Sequence, residues 1–315
     1  MTFRHRLMRG LCSAALAAGL SFGAATHAVA ADTYTQTKYP VVLVHGAFGF
    51  DAIGPVSYWY GIVSALRSGG ATVYTPSVSG AETSEARGEQ LLRALRSYKA
   101  AYGHQKFNLI GHSHGGPTAR YVAAVAPELI ASVTTVGSPH AGSKVADAIE
   151  TVTSWTGTTG FAATLANGLA ATIAFLSGSP TLPQDALGSL KSLSTRGAAD
   201  FNRRFPQGKP TSSCGQGPAS VNNIRYWSVG GTSVATNVLD VSDALLVGSS
   251  VVFGFEQNDG LVGQCSSHWG TVLKDNYAWN HLDEVNQAFG LRGLFSQDPV
   301  AFYRAQANRI KSAGL

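Results

Sequence analysis

The sequence predicts an α/β fold in which a mostly parallel central sheet carries helices on both faces. Two observations predict it. Short apolar segments without alternation, which are typical of strands buried on both faces, recur along the first half of the chain. Segments with apolar residues at helical spacing separate them, and strands that alternate with helices usually form a right-handed parallel sheet. No repeat or linker interrupts this order, so we expect a single domain over residues 31–315.

The first strand is predicted at residues 39–44, where the apolar run YPVVLV is followed by Gly46. Further strands of the first half are predicted at 71–74, 107–110 and 132–136. The helices between them are predicted at 58–66, 85–98 and 118–126. The second half is less regular, and its predicted elements are strands at 224–229 and 251–255 and a last helix at 298–311.

Residues 1–30 are predicted to be a secretory signal peptide rather than part of the fold. Three arginines precede an apolar stretch too short to span a bilayer, and Ala28-Val29-Ala30 forms a small-x-small cleavage site. A membrane anchor is the alternative. Removing the three arginines lowers the net charge from +5 to +2, which is too weak a balance to indicate nucleic-acid binding. We therefore expect a protein secreted through the periplasm, with no stable membrane span.

Two cysteines, Cys214 and Cys265, remain after cleavage of the signal peptide. Exported proteins fold in an oxidising compartment, so the simplest prediction is that these two residues form a disulfide. Two free buried thiols are the alternative.

The segment Gly111-His112-Ser113-His114-Gly115 follows a predicted strand and precedes a predicted helix. Gly-x-Ser-x-Gly in that position is the signature of a nucleophile elbow, a strained turn that lifts the serine hydroxyl clear of the backbone. A glycine-rich turn without chemistry is the alternative. The two histidines beside Ser113 point away from its hydroxyl across such a turn, so neither is expected to be the base.

Two backbone amides are candidates for an oxyanion hole. The residue after the nucleophile, His114, supplies one donor in this arrangement. The other donor should come from the loop after an early strand, and we assign it to Ala47 in the segment 45–49. His45 is expected to hold that loop by a hydrogen bond.

The acid and the base should follow the serine in the chain. Asp259 comes after the predicted strand at 251–255, where a catalytic acid belongs, although Asn-Asp-Gly is also an ordinary turn. His281 and His268 compete as the base, whereas His140 precedes all the later acids and fits the order poorly. The residues alone leave the choice open, and spacing favours His281 slightly.

Six blocks of the sequence carry a resemblance to a known family. They are VHGAFGFD, TSEARGEQLL, LIGHSHGGPTARYVAA, GSPHAGS, NDGLVGQCSSHWG and NHLDEVNQAFGL. These blocks resemble the Pseudomonas-type extracellular lipases that depend on a dedicated foldase. The resemblance implies the α/β-hydrolase fold and a triad of Ser113, Asp259 and His281, with the amides of Ala47 and His114 as the oxyanion hole. The family often has a larger residue than Ala47, a difference that bears on acyl-chain selectivity rather than on a backbone donor.

The same resemblance implies one structural Ca²⁺ site. It maps to the carboxylates of Asp240 and Asp283 and the carbonyl oxygens of Gln287 and Leu291, which are the hard ligands that Ca²⁺ prefers. Without the resemblance, both acids would be interpreted as solvated loop or helix-cap residues. The resemblance also matches the cysteine pair, and it implies a lipase-specific foldase chaperone during export.

The uncharged stretch at about 154–177 has apolar residues at helical spacing. In a cap beside an active site we interpret it as a lid rather than as a core helix. We therefore expect a monomeric, secreted triacylglycerol lipase that hydrolyses long-chain acylglycerols at oil–water interfaces through an acyl-enzyme. A carboxylesterase or acyltransferase acting on soluble esters with the same triad is the alternative. A non-catalytic binding protein of this fold would be expected to lack a triad residue.

Overall fold

A computed structural model of the chain describes residues 32–154 and 184–315, apart from 48, 50–51 and 54–55. The predicted signal peptide at 1–30 and nearly all of the predicted lid at 154–177 lie outside these residues. No helix among the described residues has the length and apolar character needed to cross a membrane.

The helices and strands follow the alternating order predicted for the first half of the chain. The strands are β1 (Val41–Val44), β2 (Ala52–Ile53), β3 (Val56–Ser57), β4 (Val73–Tyr74), β5 (Phe107–His112), β6 (Ile130–Val136), β7 (Ser220–Val221), β8 (Ile224–Gly231) and β9 (Thr271–Tyr277). The helices are α1 (Ile62–Ser68), α2 (Ser84–Tyr102), α3 (Gly115–Val125), α4 (Lys144–Ser154), α5 (Ala186–Leu193), α6 (Thr195–Arg204), α7 (Val241–Ser250) and α8 (Pro299–Ser312).

Seven of the described strands form one sheet in the order β4–β1–β5–β6–β8, with β7 and β9 both paired to β8. The pairs among β4, β1, β5, β6, β8 and β9 are parallel, whereas β7 runs antiparallel to β8. Strands β2 and β3 form a separate small hairpin. The mostly parallel sheet predicted from the sequence is confirmed.

Strand β1 packs against a different core on each of its two faces. Val41 and Leu43 belong to a core that includes apolar residues of α1 and α8. Val42 and Val44 belong to a second core with residues of α2 and α3. Side chains alternate between the two faces of a strand, so in β1, which packs against helices on both faces, all four positions are apolar.

The carboxyl ends of the parallel strands place the candidate residues at one edge of the sheet. The loop at 45–49 follows β1, Ser113 follows β5, and the segment at 278–287 follows β9. In open α/β sheets this edge is where ligands bind. Residues far apart in the chain therefore meet there.

The disulfide between Cys214 and Cys265 is present, which confirms the predicted pairing. It joins the segment after α6 to the turn that follows Asp259, and the two cysteines are 51 residues apart in sequence.

The predicted strand at 251–255 is wrong. Helix α7 ends at Ser250 and continues into a 3-10 turn, Val251–Phe253, and Gly254 with φ 62° ends that turn. A short apolar run does not distinguish a strand from a helical segment, and here the preceding helix decides. Asp259 therefore follows a helical turn and not a strand. Strand β9, by contrast, was not predicted, because it is only half buried and mixes charged with apolar residues.

The first described residues are held by the last helix. The Lys38 amide donates to the Leu315 carbonyl at 2.8 Å, and Arg304 pairs with Asp32 at 2.9 Å. Lys311 donates to the carbonyl of Thr33 at 2.5 Å. Polar contacts therefore tie segment 32–38 to α8 and to the residues that follow it.

Candidate active site

Ser113 lies in a strained turn between β5 and α3. Its φ is 54°, which is unusual for a residue with a side chain, and its amide donates to the Val136 carbonyl at 2.9 Å. A Cβ atom at Gly115 would lie 2.0 Å from the Val44 carbonyl oxygen, and one at Gly111 would lie 2.3 Å from the Gly115 oxygen. Both glycines are thus required by close approach, as the predicted elbow demands.

Asp259 and His281 lie together next to this edge of the sheet. His281 Nδ1 is 2.8 Å from Asp259 Oδ2, and the His281 amide donates to the Asp259 carbonyl at 2.9 Å. The other carboxylate oxygen accepts from the amides of Leu261 and Val262. An ionised carboxylate can only accept, so Nδ1 carries the proton and Nε2 is left as the basic nitrogen. The two residues are 22 positions apart in sequence, and the structure brings them into one buried pair.

The other two candidate bases are engaged elsewhere. His268 lies between Asp275, at 2.9 Å from Nε2, and the Gly215 carbonyl, at 3.1 Å from Nδ1. Both ring nitrogens of buried His140 are bonded as well, Nδ1 to the Arg120 guanidinium and Nε2 to the Thr135 hydroxyl. Among the described histidines considered as the base, His281 is the one that pairs with Asp259.

The loop after β1 is held by a buried cation. Arg87 of α2 donates through Nη2 to the carbonyls of His45, at 2.6 Å, and Gly46, at 3.2 Å. Burial lowers the pKa of Arg87 to about 9, so the side chain stays charged at neutral pH. His45 Nδ1 is 2.9 Å from the Gly46 carbonyl, which confirms that His45 holds the loop. In a trans peptide the N–H points away from the preceding carbonyl, so the Ala47 N–H points away from Arg87.

His114 follows Ser113 directly and is the N-cap residue of α3. Its ring is buried, with Nε2 at 2.9 Å from the Ser84 hydroxyl. Within the described part of the chain, neither the His114 amide nor the Ala47 amide donates to a protein acceptor. Two amide donors without a protein acceptor therefore lie near Ser113, one on the next residue and one in the loop after β1.

Two buried residues that sequence reasoning missed, Tyr58 and Glu284, surround His112 behind the base. Glu284 Oε1 accepts from the Gly231 amide at 2.8 Å, and Oε2 lies 3.2 Å from His112 Nε2. Burial and the neighbouring Asp259 hold the pKa of Glu284 well above its usual value. The spacing of three residues from His281 was the available signal, because it places both side chains on one side of a turn.

One group within the described residues has the spacing that a metal ion would need. Ligand atoms of His112, His281 and Glu284 all lie within 4.8 Å of one another, and all three residues are buried. Two imidazoles with one carboxylate are not the all-oxygen set that Ca²⁺ prefers.

Of the four residues predicted to bind Ca²⁺, Asp240 is the N-cap of α7, and the other three lie on the segment that follows His281. Asp240 Oδ2 and Asp283 Oδ1 are buried without a hydrogen-bond partner. Burial, together with the charges of Asp243 and Asp240, raises the pKa of Asp283 to about 6. Gln287 is buried and its carbonyl accepts from the Gly290 amide, and Leu291 is half buried. Two unpartnered carboxylate oxygens are the donors that a hard cation would satisfy.

Comparison with known proteins places this geometry in context. Residues 39–285 match the model of a family described as the alpha/beta hydrolase fold. A triacylglycerol lipase of Vibrio cholerae is 50% identical over 93% of this chain and 94% of its own length. Those of Burkholderia plantarii (44% identical, 95% and 93% covered) and Pseudomonas fragi (46% identical, 90% and 100% covered) are similar over comparable lengths.

Solved structures agree on the fold. Lipase 1 from Pelosinus fermentans superposes with a TM-score of 0.60 at 18% identity, over 88% of this chain and 99% of that one. Staphylococcus hyicus lipase superposes with a TM-score of 0.58 at 19% identity, over 88% and 97%. At these identities the likeness concerns the architecture alone.

Proposed function

The chain belongs to the α/β-hydrolase fold family and, within it, to the bacterial triacylglycerol lipases, and from this premise we propose that it hydrolyses long-chain acylglycerols at oil–water interfaces through a triad of Ser113, His281 and Asp259. The observation that carries the proposal is the buried His281–Asp259 pair, at 2.8 Å, beside the serine elbow. The pair leaves one basic nitrogen for a serine proton.

In the proposed mechanism, His281 Nε2 takes the proton of the Ser113 hydroxyl as its oxygen attacks the ester carbonyl. Asp259 keeps the imidazole in its tautomer and stabilises the imidazolium that forms. The alcohol leaves with the proton from His281, and an acyl-enzyme remains. A water molecule, deprotonated by His281, then releases the fatty acid and regenerates the serine.

The amides of Ala47 and His114 would bind the oxyanion of each tetrahedral intermediate. Two observations support this assignment. Neither amide donates to a protein acceptor among the described residues, and Arg87 fixes the orientation of the Gly46–Ala47 peptide by binding the Gly46 carbonyl. A donor held in advance by a buried cation needs no rearrangement when negative charge develops on the substrate.

We also propose that a Ca²⁺ ion binds Asp240, Asp283 and the carbonyl oxygens of Gln287 and Leu291. Its support is the pair of unpartnered buried carboxylate oxygens. Bound there, the ion would supply positive charge that offsets two buried carboxylates. Its role would be structural, because Asp283 lies two residues after the base and the ion would hold that loop in place.

Secretion through the periplasm, folding assisted by a lipase-specific foldase and action as a monomer are parts of the same proposal. The proposed signal peptide at 1–30 and the resemblance to foldase-dependent lipases support them. The apolar stretch at 154–177 supports a lid that shields the site in water.

Ser113→Ala tests the proposal. We expect hydrolysis of a long-chain triglyceride emulsion to fall by about 10⁴-fold or more, with the melting temperature unchanged. Ser212→Ala, at an exposed serine, serves as the control and should keep full activity. Substantial hydrolysis by Ser113→Ala would contradict the triad. Equal turnover of a soluble ester above and below its solubility limit would favour a carboxylesterase.

A further inference from the structure

A buried run of hydrogen bonds connects the three loops that carry the proposed active site. The Gly46 amide lies 2.9 Å from the Tyr58 hydroxyl, and that hydroxyl lies 2.5 Å from His112 Nδ1. His112 Nε2 in turn lies 3.0 Å from the His281 carbonyl oxygen. The run contacts the backbone of the proposed base, His281, and includes the residues that precede Ala47 and Ser113 in the chain.

The direction of each hydrogen bond in this run follows from its two ends, an amide that can only donate and a carbonyl that can only accept. The Gly46 amide donates to the Tyr58 oxygen, and the His281 carbonyl accepts from His112 Nε2. Nδ1 of the neutral ring is then an acceptor, and it accepts from the Tyr58 hydroxyl. The proton on Nε2 is shared between the His281 carbonyl and Glu284 Oε2. Burial lowers the pKa of His112 well below its usual value, which agrees with this neutral form.

Tight packing at Gly46 shows that the loops meet directly. A Cβ atom at Gly46 would lie 2.7 Å from the Ser113 Cβ and 2.7 Å from the Tyr58 hydroxyl. Tyr58 and His112 are 3% and 1% exposed, so water does not compete for these hydrogen bonds. Among the described residues, this buried run of hydrogen bonds connects the loop after β1 to the segment after β9.

We propose that Tyr58 and His112 are positioning residues that hold the oxyanion loop, the nucleophile turn and the base at fixed separations. The proposal rests on the proposed triad. Neither side chain would touch the substrate carbonyl. Each acts through the backbone of a neighbouring group, Tyr58 on the Gly46 amide and His112 on the His281 carbonyl. A small displacement of either group weakens transition-state stabilisation more than substrate binding.

Tyr58→Phe removes one hydroxyl and keeps the ring, and it is the first test. The assay is turnover of a soluble short-chain ester, normalised to the amount of active serine titrated with a serine-reactive phosphonate, so that unfolded molecules are not counted. We expect kcat per titrated serine to fall by about 10-fold to 100-fold, with KM within about twofold of the wild-type value. Tyr303→Phe is the matched control, because Tyr303 is a fully buried tyrosine whose hydroxyl has no partner within the described residues, and its kcat should not change.

His112→Gln can place its amide N–H near the position of His112 Nε2, so a donor for the His281 carbonyl is kept. It has no acceptor at the position of His112 Nδ1, next to the Tyr58 hydroxyl. On its own it should lower kcat in the same way as Tyr58→Phe. In the double variant the loss should be scarcely larger than in either single variant, because both substitutions break the same connection.

Two results would overturn the proposal. One is a wild-type kcat per titrated serine in Tyr58→Phe, even with a lowered melting temperature, because the hydroxyl would then serve stability alone. The other is a double variant whose losses multiply. Failure of the phosphonate to label Ser113 in the wild-type protein is a separate outcome, which would overturn the triad itself and the positioning role with it.

Discussion

Replacement of Asp283 by asparagine is expected to stabilise the chelated protein at about pH 8 and to remove most of its response to Ca²⁺. Asp283 is 1% exposed, and one of its carboxylate oxygens has no partner. Its other oxygen accepts from the Asn280 amide at 3.2 Å, a contact that an asparagine carbonyl can keep. The substitution therefore removes the charge and retains the shape.

The magnitude follows from the pKa of Asp283. Burial and two neighbouring carboxylates raise it from 3.8 to about 6 in the protein without metal. A difference of about two pKa units corresponds to about 3 kcal/mol in the free energy of unfolding. The folded pKa lies above the unfolded one, so ionisation costs nothing below about pH 4, and the cost grows until about pH 6 and then stays constant. Removal of this charge by Asp283→Asn should therefore stabilise the chelated protein by about 3 kcal/mol at neutral pH and hardly at acid pH. Chelation should destabilise the wild-type protein more at neutral pH, where the carboxylate is ionised, than at acid pH.

Urea unfolding of both proteins, in chelator and in excess Ca²⁺, measures these free energies directly. Asp200→Asn, at an exposed carboxylate, is the control and should respond to Ca²⁺ as the wild type does. Initial rates of hydrolysis should change less than stability, because the proposed ion does not contact the ester. Identical unfolding curves of the wild type with and without chelator would refute the site, as would a full Ca²⁺ response in Asp283→Asn.

Three further predictions concern the framework around the site. Gly115→Ala should lower activity by at least about 100-fold, because its Cβ would lie 2.0 Å from the Val44 oxygen; normal activity and stability would contradict the steric reasoning. Burial lowers the pKa of four histidines, to about 3 for His45 and well below 6.5 for His112, His114 and His140. At these four sites the unfolded chain binds more protons, so their contribution to stability should fall by up to about 5 kcal/mol per pH unit below about pH 6. The raised pKa values of Asp283 and Glu284 act in the opposite direction and offset part of this loss. Urea midpoints across pH would detect the net fall; stability that rises steadily as the pH falls would argue against neutral buried imidazoles. Reduction of the Cys214–Cys265 disulfide, which spans 51 residues, should cost about 4 kcal/mol of stability; an unchanged melting temperature after verified thiol labelling would show that the folded state does not need it.

The sequence was most informative where local pattern and tertiary environment agree. Strand β1 is buried on both faces and apolar at every position, so the run is visible without knowledge of partners. Strands β5 and β6 are also fully buried, and their apolar residues were sufficient to predict them although Asn108, Ser132, Thr134 and Thr135 interrupt the run. The elbow around Ser113 was equally visible, because close approach of the backbone permits only glycine at positions 111 and 115.

The sequence was least informative where the partner of a residue lies far along the chain. The choice between His268 and His281 depends on which of them meets Asp259, and no local feature of either segment decides it. The role of His112 depends on Tyr58, 54 residues earlier, and on the carbonyl of His281, 169 residues later. Such relations are properties of the sheet edge rather than of any one segment.

The contact between the first described segment and the last helix bears on when this protein can fold. A ribosome releases β1 long before it releases α8, yet Val41 and Leu43 share their core with Phe302 and Ile310 of that helix. Until those residues emerge, α1 covers this face of the sheet only in part. Contacts of such long sequence separation also form slowly, because a large loop must close first. We therefore expect this core to close late, after α8 has emerged, and such a delay would suit the export proposed above.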